Sequence, residues 1–179
     1  MTGIPAENPS VSATAIQQTR PDVEYIFAPP SWDGSEGLLA IIVRASHANP
    51  GVTFLTDPAL PQQLATIDRP SGWEVPPHIH HDWPRQVTRT QEVLVVRRGI
   101  ITVTFYTSDH LPVCERTLGP CDLVSLIAGG HGVKFITDAS LAEVKTGPYA
   151  GSREKDKVEF VPAVSKTPPT DSPSTPHGD

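Results

Sequence analysis

From about Leu38 to Val161 the chain is a succession of short apolar runs of strand length, punctuated by Gly and Pro. GLLAIIVRAS, GVTFLT, QEVLVVRR, IITVTFYT, CERTL, DLVSLI, HGVKFIT and LAEVKT are mostly rich in Val, Ile, Leu, Phe and Thr, side chains that fit a pleated, half-buried surface. Many short strands with frequent turn signals predict an all-β sandwich or barrel and leave little room for helix. QEVLVVRR and IITVTFYT, separated by Gly99, read as the clearest hairpin. In its second arm Ile101, Val103 and Phe105 alternate with Thr102, Thr104 and Tyr106, so one face of that strand is apolar.

A chain of 179 residues with one such patterned stretch fits a single domain. The expected division is a flexible lead over 1–22, a β domain over 23–161 and a tail over 162–179. The lead mixes Ser, Thr, Gln, Pro and Ala with no period of 2 or 3.6. PAVSKTPPTDSPSTPHGD has too little apolar surface to offset the entropy of ordering it. A formal net charge of -6 argues against a general nucleic-acid or anionic-membrane surface, which rewards clustered Lys and Arg. No run approaches the roughly 20 apolar residues that cross a bilayer, and the N-terminus lacks an apolar signal core. The expectation is a soluble, cytoplasmic protein whose partner is a small molecule. Cys114 and Cys121 are the only cysteines. Two thiols so spaced make neither a secreted disulfide framework nor a zinc-type pair, and they read as one strand thiol and one turn thiol.

Chemistry concentrates in PPHIHHDWPRQVTRTQEVLVVRRG. In an extended chain the side chains of His78 and His80 share one face, with Cα atoms roughly 7 Å apart, close enough for two imidazoles to converge on one ion. His81 then points the other way, as a rim histidine. Glu92 opens the next strand on the face of Leu94 and Val96, where an acid is costly unless paired or metal-bound. His131 lies in AGGHG, a turn between DLVSLI and VKFIT whose glycines allow a sharp bend toward a barrel mouth.

His-x-His, a Glu followed by six residues and a Gly, a Gly-Asp-like turn and a later His together resemble the two motifs of the cupins. Here they are His78, His80, Glu92, Gly99, LGPCD around Asp122, and His131. More narrowly, PHIH, TQEVL, LGPCD, GGHG and EVKTGPYAG are similar to the WbuC-like cupin-fold metalloproteins and related small cupins of polysaccharide and natural-product gene clusters. The likeness covers about residues 38 to 162. It implies a jelly-roll β-barrel holding one divalent metal ion (iron, zinc, manganese or nickel) through His78, His80, Glu92 and His131. The sequence departs from the family in two places. HDWPRQVTRTQ separates His80 from Glu92, a longer stretch than the family's, and Cys121 stands where the second motif has its turn Gly.

Other residues are candidates for contact with a substrate. Glu143 and Lys145 share a strand face, as a solvated ion pair or, if inward, with Lys145 as an acid/base group of burial-lowered pKa. Tyr149 would close the mouth. Arg85 and Arg89, in the insert between ligands, can bring guanidinium groups to a carboxylate or phosphate. The expected function is a metal-dependent cupin enzyme acting on a small oxygenated metabolite, a sugar derivative or natural-product intermediate, with Lys145 or Tyr149 moving a proton. The alternative is a non-catalytic, metal-dependent ligand-binding or regulatory cupin using the same mouth. A third is a barrel whose histidines are satisfied by hydrogen bonds alone. Jelly-roll cupins often pair through exposed edge strands, so the resemblance leaves room for a homodimer without fixing the assembly.

Overall fold

The computed structural model describes residues 22–29 and 37–149, together with 151 and 155. Apart from Asp22, the expected lead and tail lie outside the described residues, as does the domain boundary at 161. The described chain is all-β, with ten strands in antiparallel sheets. These are β1 (Val23–Phe27), β2 (Leu38–Val43), β3 (Gly51–Phe54), β4 (Ala65–Asp68), β5 (Glu92–Arg98), β6 (Ile101–Tyr106), β7 (Pro112–Leu118), β8 (Leu123–Leu126), β9 (Gly130–Phe135) and β10 (Ser140–Lys145). All eight patterned runs carry strands. VEYIF and ATID were not among those runs and add β1 and β4.

A five-stranded sheet has the order β1-β2-β8-β5-β10, a three-stranded sheet the order β7-β6-β9, and β3 pairs with β4 in a ribbon. The expected closed barrel is not formed by these strands. Sheet pairing also overturns the expected hairpin, because β5 pairs with β8 and β10 whereas β6 pairs with β7 and β9. The chain therefore turns a corner from one sheet to the other at Gly99. That residue has a positive φ of 79°, and a side chain there would meet the backbone of Asp138 and lie 2.6 Å from Cα of Ala139. Glycine is demanded by both conformation and crowding. The two faces flanking the corner are apolar, and burying both against each other outweighs the pairing of adjacent strands.

One core joins the two larger sheets. Leu39, Ala40, Ile42, Leu94, Val96, Val124 and Leu126 from the first meet Ile101, Val103, Phe105 and Leu118 from the second. The alternation in β6 is as expected, with Ile101, Val103 and Phe105 almost fully buried. A smaller cluster of Val23, Ile41, Val43, Leu55 and Ile127 fills the opposite face of the first sheet.

Polar clamps fix the ends of these strands. Asp122, in the LGPCD turn, accepts hydrogen bonds from the backbone N–H of Gly119 (3.0 Å) and of Ala45 (2.8 Å) and from Nη1 of Arg44 (3.0 Å). Arg116 pairs with Glu24 at 2.6 Å, linking β7 to β1. His47, given no role by the sequence, has its Nδ1 2.5 Å from Asp22 and its Nε2 3.4 Å from the Thr66 hydroxyl, so it ties the start of β1 to β4.

Between β4 and β5 the chain behaves differently. Every residue from Ile67 to Thr90 is exposed, and residues 69–91 contain no strand. Its hydrogen bonds up to Thr90 among the described residues are internal to it: Trp73 N–H to Pro70 O, His78 Nδ1 to Pro76 O, and Arg85 to Trp83 O. This arm nevertheless carries Trp73, Val75, Ile79, Trp83 and Val87, all exposed.

Candidate functional site

Cross-strand register builds the site. Glu92 pairs with Lys145 of β10 on one side and with Leu126 of β8 on the other, so the three side chains form a row on one face of the first sheet. Leu94 and Val96 follow Glu92 on that face and are buried, which makes it the core face. In the second sheet His131 pairs with Phe105, itself buried, and so projects toward the same interior. The rows meet at one end of the core.

There Nε2 of His131 lies 3.2 Å from Oε2 of Glu92, and Nζ of Lys145 lies 3.8 Å from the other carboxylate oxygen. The side chains of Glu92, Lys145 and His131 keep 12%, 18% and 33% of their exposure, so the cluster is largely withdrawn from solvent but open on the His131 side. A cavity of about 170 Å³ is lined by these three with Thr90, Leu126, Ala128, Gly129 and Lys155. Burial pushes His131 below its ordinary pKa; the adjacent Glu92 charge opposes that shift without reversing it. The imidazole is therefore neutral near pH 7. A carboxylate partner then places the hydrogen on Nε2 and leaves the Nδ1 lone pair to accept a proton.

His131 does not sit in the turn expected for it. Gly130 and His131 are already part of β9, and Gly129, with φ of 68°, makes the bend one residue earlier. A side chain at Gly129 would run into the Tyr106 carbonyl and Leu39, so the glycine also permits the close approach of β9 to its neighbours.

The structure groups the sequence-predicted residues unevenly. Glu92, His131 and Lys145 come together as described. Tyr149 is 78% exposed and lies beneath Lys145, with Nζ 5.2 Å from the ring centre, outside the cavity lining. His78 and His80 are in the arm, their ring centres 4.9 Å apart in an edge-to-face arrangement, so these two imidazoles do converge. The His78 Nδ1 is 2.9 Å from the Pro76 carbonyl, which can only accept; Nδ1 carries the hydrogen and Nε2 presents the lone pair. His81 and Arg85 line a separate open concavity made by arm residues alone, and Arg89 is exposed on the same arm.

Fit to a metal is thus divided. Two donors at about 2.0–2.1 Å from a tetrahedral ion lie roughly 3.3–3.4 Å apart, so the Glu92–His131 spacing suits adjacent ligand positions as well as a hydrogen bond. The four expected ligands nevertheless form two pairs and not one shell, and no group of three or more His, Cys, Asp or Glu is placed to hold an ion among the described residues. Thr90 and Lys155 are lining residues that the sequence reading missed. Thr90 was hidden in the polar insert, and Lys155 belongs to the charged run SREKDK, which has no strand alternation to give it a direction. No helix among the described residues is long and apolar enough to cross a membrane.

No protein-family model, curated protein or solved structure matches the chain.

Proposed function

We propose that the chain is a small cupin-type jelly-roll enzyme that acts on a small oxygenated metabolite in the cavity bounded by Glu92, His131 and Lys145. The observation that carries this reading is the row Leu126–Glu92–Lys145 facing His131 across the end of the core. A carboxylate, a neutral imidazole and an ammonium group around one small cavity are a proton-transfer set, and a core-facing row with no such chemistry would be apolar.

Metal dependence is part of the same proposal. Glu92 and His131 supply two donors from the body, and His78 and His80 supply two from the arm. The exposed apolar residues of the arm favour its packing onto the body, because their burial is worth about 25 cal/mol per Å². A bound divalent ion would contribute Lewis acidity toward a substrate oxygen. The chain's own residues do the remaining work. Lys145, held by Glu92, is placed to give a proton to a substrate oxygen, while neutral His131 accepts one. Leu126 and Ala128 offer apolar wall to the substrate's carbon skeleton.

Cobalt(II) substitution tests this reading. The expected spectrum is that of a nitrogen- and oxygen-ligated ion, retained in His81→Ala and lost in both His78→Ala and His131→Ala. Equal spectra in all three variants, or no cobalt uptake by the wild type, would contradict it.

A further inference from the structure

The β3–β4 ribbon turns its polar face inward and its apolar face outward. Thr53 and Thr66 are directly paired, and both meet body residues: the Thr66 hydroxyl lies 3.4 Å from Nε2 of His47, whose side chain is almost fully buried, and the Thr53 hydroxyl accepts a hydrogen bond from the Asn49 amide at 2.7 Å. Strand alternation then puts Val52 and Phe54 of β3, with Ile67 of β4 paired to Val52, on the opposite face, where all three are exposed. An apolar face so placed costs free energy in water until something covers it.

The arm that follows β4 has matching character. Trp73, Val75, Ile79, Trp83 and Val87 are exposed along it, and the contact between the His78 and His80 rings puts Ile79 on the other side of the arm from the histidines. With Ile67 64% and Ile79 87% exposed, the arm does not cover the ribbon of its own chain. The charges also suit a contact between the two. Residues 51–68 include Asp57 and Asp68 and no Lys or Arg, whereas residues 83–90 include Arg85 and Arg89 and no acid.

We propose that the arm of one chain packs its apolar side on the outward face of the β3–β4 ribbon in a second copy and receives that copy's arm on its own ribbon. Each chain carries both halves of the contact, so one two-fold axis covers both surfaces at once and closes the assembly as a dimer. The eight apolar residues, each 43–87% exposed, present on the order of 800 Å² per copy, the share one partner gives to a standard stable interface. The contact joins a sheet face to an arm and needs no pairing of sheet edges. It rests neither on a metal nor on the reaction proposed above.

Sedimentation equilibrium of the full-length protein, with native mass spectrometry of mixed variants, tests the assignment. The wild type is expected to be a dimer at micromolar concentration. Ile67→Ser on the ribbon and Trp83→Ser on the arm should each raise the dimer Kd by about ten-fold. Val144→Ser, exposed on β10 outside both surfaces, should leave it unchanged. Neither Ile67 nor Trp83 belongs to a core cluster, so the variants should keep the wild-type far-UV spectrum. Either variant alone damages both arm-on-ribbon contacts of its dimer, whereas a mixed dimer gathers both losses into one contact and keeps the other intact. Mixed dimers should therefore exceed their statistical share in an equimolar mixture. A monomeric wild type, which leaves the two surfaces to each other within one chain or to an unlike partner, would overturn the inference. So would weakening in only one of the two variants, the mark of ribbon-on-ribbon or arm-on-arm contact, an equal loss in Val144→Ser, or mixed dimers at or below the statistical share.

Discussion

Oε2 of Glu92 and Nε2 of His131 lie 3.2 Å apart, although their strands belong to different sheets. Each is carried there by a buried neighbour in its own sheet, Glu92 by the Leu126 row and His131 by its partner Phe105. The contact marks where the two core faces meet, and it couples the charge of one group to that of the other.

The coupling has a pH signature in metal-free protein. Burial holds His131 below its ordinary pKa of 6.5, and the Glu92 charge partly offsets this. In the unfolded chain the imidazole takes up its proton near 6.5; in the folded chain it does so only at lower pH. Between those values the unfolded state binds more protons, so the His131 contribution to stability is present above about 6.5 and is lost as pH falls through the folded value. NMR titration should show His131 with a lowered pKa, and Glu92→Gln should lower it further. A normal His131 titration, or a rise in Glu92→Gln, would contradict the placement.

Asp122 holds the β8 entrance through two backbone N–H groups and Arg44. Asp122→Ala strands those donors, and hydrogen bonds to a charged group are worth about 1.5–3 kcal/mol. Chemical denaturation should therefore report a loss of about 3 kcal/mol, with no change in cavity residues. A loss within ~0.5 kcal/mol, the range of an ordinary surface substitution, would show that the clamp is redundant.

The two thiols should separate by reactivity. Cys114 lies in β7 against the main core, and burial raises its pKa, an effect the nearby Arg116 only partly offsets, whereas Cys121 is exposed in the LGPCD turn. Iodoacetamide at pH 8 should modify Cys121 first, as read by intact mass and peptide mapping, because the thiolate is the reacting species. Modification of Cys114 ahead of Cys121 would contradict the burial.

Exposure of the arm makes it the expected site of limited proteolysis. Trypsin should cut after Arg85 and Arg89 before it cuts in the sheets; the bond after Arg69 is protected by Pro70. If His78 and His80 join Glu92 and His131 around an ion, added zinc should slow both cuts in the wild type and have no effect in His131→Ala. Identical cleavage with and without zinc would count against closure of the arm.

These placements show which parts of the molecule were legible in the sequence. Alternation in IITVTFYT and the apolar run DLVSLI located strands because burial imposes a period of two or a continuous apolar stretch. The shared face of Glu92, Leu94 and Val96 was readable for the same reason. Pairing across sheets was not: the Gly99 corner looks like a hairpin turn in sequence, and only the crowding with Asp138 and Ala139 distinguishes the two. Residue 131 was placed one step off because three glycines in GGHG leave the position of the bend undetermined, and φ at Gly129 fixes it. Tyr149 and the two arginines were named by proximity in sequence, which does not specify the direction of a loop side chain. VEYIF and ATID are short segments of mixed polarity, and their pairing with β2 and β3 supplies what their composition does not.

Metal content tests the central claim most directly. Protein purified without chelators and under anaerobic conditions would be analysed by plasma mass spectrometry for the wild type and His131→Ala. Near-stoichiometric iron, zinc, manganese or nickel in the wild type, lost in the variant, is the expected result, and the identity of the ion would indicate whether oxygen chemistry or Lewis-acid chemistry should be assayed. Wild-type protein that carries no metal and binds none of these ions when they are added would contradict the metal-dependent reading and leave Glu92, His131 and Lys145 as a metal-free proton-transfer pocket.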